Sequence, residues 1–89
     1  MTALLVITPG GDDGEWFENP DAADAAVARR LTLTPEQVGA LRRRITVDPI
    51  VVRRDGARWR SRNAWNVRSG DLAVQLFEMV LIDEALYDH

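Results

Sequence analysis

The stretch SGDLAVQLFEMVLIDEALYDH, Ser69 to His89, decides how this chain folds, and it reads as a helix. Ser69 can cap it, and Asp71 suits the positive end of the helix dipole. Leu72, Leu76, Phe77, Val80 and Leu81 fall on one helical stripe, and Met79, Ile82 and Leu86 widen the apolar arc. A helix apolar over so wide an arc belongs deep in a core rather than at a surface.

Immediately before it, DPIVVRRDGARWRSRN predicts a β-hairpin, because Asp55-Gly56 is a strong two-residue turn signal. With those two as the turn, Val52 faces Trp59 and Ile50 faces Ser61, and this face meets the core. The opposite face carries Val51, Arg53, Arg58, Arg60 and Arg62. Arg53 then lies opposite Arg58, and like charges in that position destabilise a hairpin.

Further back are two helices with clear start signals. Asn19 caps the first, Pro20 opens it, Asp21 and Asp24 suit its first turns, and Arg29 and Arg30 suit its end. Thr34 caps the second, Pro35 opens it, and Gln37 completes a capping box. Val38, Leu41 and Ile45 share one face of that second helix, which predicts that it continues through Arg42, Arg43 and Arg44. At the front, Ala3 to Ile7 reads as a buried strand, stopped by Pro9, Gly10 and Gly11. Trp16 and Phe17 follow in a glycine-rich acidic loop and are expected to pack back onto the core. The expected architecture is a single α+β domain over residues 1–89, in the order β-α-α-β-β-α.

The charges are segregated. Residues 1–28 hold six acids and no base, and residues 69–89 hold five acids and no base. Between them lie all eleven basic residues, every one an arginine, with only Glu36, Asp48 and Asp55 as acids. The net charge is −3, so the arginine segment faces either an anionic partner or the chain's own acids. There is no cysteine, which excludes disulfides and thiolate metal sites. The single histidine is His89, the last residue, and DDGE (Asp12, Asp13, Glu15) lacks the ligand spacing of a calcium loop. With no phosphate-binding glycine motif either, the chain is expected to be no enzyme and to need no cofactor or metal. No apolar run approaches the ~20 residues that span a bilayer, and MTALLVITPG lacks the basic region of a signal peptide. The expectation is a soluble cytoplasmic protein.

The segment VARRLTLTPEQVGALRRRI, Val27 to Ile45, resembles a helix-turn-helix. Val27 and Ala28 match the apolar-alanine pair of the first helix, Leu31 and Leu33 flank the turn, and Val38 and Leu41 match the buried positions of the second helix. With the hairpin behind it, the chain is similar to the winged-helix variant, over about half its length. The resemblance implies a DNA-binding protein with its second helix in the major groove and its hairpin against the backbone. Two departures shape that expectation. Thr32 stands where the family's turn has glycine, and the second helix offers Pro35, Glu36, Gly39 and Ala40 where bases would be read. Phosphate contact, through Arg42, Arg43, Arg44, Arg53, Arg58, Arg60 and Arg62, is therefore expected in place of sequence readout.

The leading expectation is a small regulatory nucleic-acid-binding protein. The alternative is a protein-protein interaction module, an inhibitor or adaptor, docking an anionic protein surface through its arginine face or docking through its acidic ends. One small sheet and two short helices cannot cover the whole last helix, so a homodimer built on Met79, Ile82 and Leu86 is also expected.

Overall fold

A computed structural model describes residues 2–7 and 14–83, the last of these by backbone alone. Pro9 to Asp13, Glu84, Leu86, Asp88 and His89 lie outside the described residues. The elements are β1 (Thr2–Ile7), β2 (Glu15–Phe17), α1 (Pro20–Leu31), α2 (Pro35–Leu41), β3 (Arg42–Ile45), β4 (Val51–Arg54), β5 (Ala57–Ser69) and β6 (Leu72–Asp83).

The fold is mostly sheet, which corrects the expected β-α-α-β-β-α winged-helix-like order. Residues 72–83 form a strand, not a helix. Gly70 and Asp71 are a two-residue turn between the paired Ser69 and Leu72, with Gly70 at φ +61°. That turn folds β6 back along β5, and pairing continues as far as Arg58 and Asp83. The second correction is at Leu41, where α2 ends. Residues 42–45 extend as β3 and pair with Ala64 to Val67 of β5.

All pairings are antiparallel, in the order β2-β1-β6-β5-β3, with β4 also paired to β5. The sheet curls. β1 and β6 separate β2 from β5, and strands lie roughly 4.8 Å apart. Even so, the Trp16 ring of β2 sits 5.5 Å from Trp59 of β5, and Arg54 of β4 lies 4.7 Å over Trp16. The concave face holds one core of Ala3, Leu5, Trp59, Ala64, Phe77 and Met79. Helices α1 and α2 cover part of the convex face, where Val6, Val27, Val38, Val67, Val74 and Leu76 form the other core.

Several local expectations hold. Asn19 accepts from the Asp21 amide at 2.8 Å, and Thr34 and Gln37 close the capping box. Asp55 and Gly56 both have positive φ, 51° and 77°, as a type I′ turn requires. Val52 faces Trp59 and Arg53 faces Arg58. Trp16 and Phe17 do pack against the cores, though from the short edge strand β2 rather than from a loop. Thr32, where glycine was expected, adopts the left-handed conformation at φ 55° and ends α1.

Candidate interaction surface

Length decides which part of the convex face stays open. Strand β5 has 13 residues, about 43 Å at ~3.3 Å per residue, and the molecule is 47 Å long. Helices of 12 and 7 residues span only about 18 and 10 Å. They cannot cover such a strand from end to end. The row on β6 records the boundary: Val74 and Leu76 are buried, Glu78 and Val80 are half-buried, and Ile82 is 47% exposed.

The uncovered half is built from cross-strand neighbours. Val51 of β4 faces Arg60 of β5, which faces Val80 of β6. Directly opposed residues share one face of a sheet, so Arg58 and Arg53, paired with each other two residues along from Arg60 and Val51, lie on that face too. A second register shift, between Arg58 and Trp59, pairs Arg58 with Asp83 and leaves Ile82 without a cross-strand partner. Ile82 lines one recess with Arg60 and Val80. Val51 is 59% exposed. The result is an apolar centre of Val51, Val80 and Ile82 among Arg53, Arg58 and Arg60.

A bulge shapes the near end of this surface. The register of β5 against β6 shifts between Ser61 and Asn63, which leaves Arg62 without a cross-strand partner. Arg62 instead donates from Nε to Glu78 Oε1 at 2.9 Å, and Asn63 Nδ2 donates to the same oxygen at 2.8 Å. Arg44 donates to Asn63 Oδ1 at 2.6 Å. The Arg62 hydrogen bond holds the Glu78 carboxyl below the usual glutamate range, with Asn63 and the positive charges of Arg62 and Arg44 adding to it. Glu78 in turn raises the Arg62 guanidinium, first by that hydrogen bond and then by its charge.

The seven arginines expected at phosphates are therefore not one group. Arg42 is a structural tie: it pairs with Asp24 of α1, its guanidinium lies 5.7 Å over the Trp65 ring, and burial lowers its pKa. Arg43 is exposed on β3, and Arg44 joins the network at Glu78. Arg53, Arg58, Arg60 and Arg62 share the open half of the convex face. Of the residues expected at a dimer interface, Met79 is fully buried in the concave core, which corrects its assignment to a surface. Ile82 is exposed, and Leu86 lies outside the described residues.

Val80, Asn63, Glu78 and Pro49 escaped the sequence reading of this surface. The first three depend on β6 being a strand. The Gly70-Asp71 turn was the available signal, since counting back from Ser69↔Leu72 sets Asn63 opposite Glu78. Among the described residues, no helix is long and apolar enough to cross a membrane. In comparisons with known proteins, no family model, curated protein or solved structure matches this chain.

Proposed function

We propose that this chain is a protein-interaction module that docks on an acidic protein surface through the open half of its convex face. The observation that carries the reading is the apolar centre of the exposed Val51 and Ile82 and the half-buried Val80 inside the arginine group. Protein interfaces combine an apolar centre with arginine in this way. A phosphate backbone has no use for the apolar centre. The helix end that a nucleic-acid reading relied on is a strand, and Arg42 is spent on Asp24 and Trp65.

The test is an anisotropy titration of poly-glutamate and of duplex DNA at two salt concentrations. The acidic polypeptide should bind more tightly than the DNA at equal salt. Replacing Arg60 and Arg62 by alanine should weaken that binding about tenfold and flatten its salt dependence. Tighter binding of DNA would replace this reading with the nucleic-acid one.

A further inference from the structure

The uncovered face is not flat. Residues 46–50 cross from β3 to β4 over the bulge, and Ser61 pins them there. Its amide donates to the Ile50 carbonyl at 3.0 Å, and its Oγ accepts from the Ile50 amide at 2.9 Å. Ser61 itself is 8% exposed. The pinned segment sets Pro49 as one wall of a recess of about 410 Å³, whose other walls are Arg60, Ser61, Arg62, Val80 and Ile82. A smaller recess of about 110 Å³ adjoins it, sharing Pro49, Ser61 and Arg62 and adding Arg44 and Asn63.

The chemistry of the larger recess is divided. Pro49, Val80 and Ile82 are apolar and short or branched, so they lose little rotamer freedom when covered. Arg60 and Arg62 stand at its rim as hydrogen-bond forks matched to carboxylates. The bond from Arg62 Nε to Glu78 uses one of five guanidinium donors and fixes the side chain's base.

We propose that this recess takes one aliphatic or aromatic side chain from an acidic peptide segment, whose flanking carboxylates pair with Arg60 and Arg62. The proposal rests on the interaction reading above and names the part of the partner that the surface would select. A free phosphate or a phosphodiester satisfies the arginines and leaves Pro49, Val80 and Ile82 in water. A peptide of alternating acidic and apolar character satisfies both.

The experiment uses the full chain and short labelled peptides of aspartate and glutamate, one with a central leucine and one with alanine there. Poly-glutamate of the same length and a DNA single strand of matched charge complete the set. The leucine peptide should bind about tenfold tighter than the alanine peptide, as burial of most of one leucine side chain allows. Ile82→Ser should remove that difference without changing the circular dichroism spectrum. Arg60→Ala with Arg62→Ala should weaken both peptides alike. On titration, the methyl resonances of Val80 and Ile82 should move with the leucine peptide and stay in place with poly-glutamate.

Equal binding of the leucine and alanine peptides would overturn the recess and leave the acidic docking surface standing. If no acidic peptide binds at low salt, both readings fall. DNA binding tighter than either peptide would transfer the surface to nucleic acid. A doubling of mass that depends on Ile82 would make a second copy of the chain the occupant and overturn the peptide proposal.

Discussion

Strand β6 passes through two environments on one face. Under the helices, Val74 and Leu76 are enclosed by Val27, Val38 and Val67. Beyond them, Val80 and Ile82 continue the same row with no element across from them among the described residues, and exposure rises toward the end of the strand. The side chains in the two halves are alike in type. The helix lengths alone set the difference: 19 helical residues cannot span a hairpin of strands 13 and 12 residues long. The opposite face of the same strand is enclosed by the curl at Phe77 and Met79, which are buried, and at Leu81, which is partly so. Leu76 therefore stabilises the fold in one half, and Ile82 remains available to a partner in the other.

Leu76→Ala and Ile82→Ala test that contrast most strongly. Leu76 is 1% exposed, and its truncation should cost about 2–5 kcal/mol. That is a large share of the roughly 5–15 kcal/mol expected for a small domain. Ile82→Ala should cost no more than about 0.5 kcal/mol. Urea melts followed by tryptophan fluorescence measure both. A large loss at Ile82 would break the comparison, because it would mean that the outer half is covered in solution.

The same strand explains what sequence reading captured and what it missed. Capping signals are local, so Asn19-Pro20, the Thr34–Gln37 box and Asp55-Gly56 were legible in the sequence and were found. β6 is enclosed on both faces in its inner half, so Val74, Leu76, Phe77 and Met79 are all apolar and do not alternate. A strand buried on both sides loses its period of two. Leu72, Leu76, Phe77 and Val80 then also fit a helical stripe, and Ser69 and Asp71 fit a cap. Gly70-Asp71 carried the contrary signal, of the same kind as Asp55-Gly56. The end of α2 at Leu41 was less legible, because its cause is tertiary. Arg42 is drawn to Asp24 and Trp65, and β3 to β5, and no nearby residue announces either contact. The arginine face was half legible: the hairpin gave Val51, Arg53, Arg58, Arg60 and Arg62, but Val80 and Glu78 needed the correct β6.

A smaller effect sharpens the role of the helical cover. Thr32 ends α1 at φ 55° and ψ 50°, where a β-branched residue is strained. The Ala28 carbonyl accepts the amides of both Thr32 and Leu33, so the conformation is held by the fold. Thr32→Gly removes the strain and raises the entropy of the unfolded chain, and the balance should stabilise by about 0.5–1 kcal/mol. Thr32→Ala keeps a side chain at positive φ and should give no such gain. Chemical denaturation of both variants checks this, and a destabilised Thr32→Gly would show that the turn carries no strain.

The smallest expected effect lies at the boundary between the two halves, where Glu78 follows the buried Leu76 and precedes Val80. Its carboxyl is held below the usual glutamate range, chiefly by the Arg62 hydrogen bond. The sign follows from linkage. A carboxyl with a lower pKa folded than unfolded adds stability that is fully present above the unfolded value. That stability is lost as pH falls through the folded value. Glu78 and Arg62 are both partly open to solvent, so the contribution should stay under about 1 kcal/mol and shrink in salt. Glu78→Gln should remove this part of the acid dependence. It should also remove the one negative charge that offsets Arg62 on the arginine face, which should strengthen poly-glutamate binding a few-fold at low salt and steepen its salt dependence. Carbon-detected NMR titration of the glutamate side chains measures the pKa directly. An ordinary value for Glu78, with unchanged poly-glutamate affinity in Glu78→Gln, would separate Glu78 from the arginine surface and leave the boundary between the two halves to packing alone.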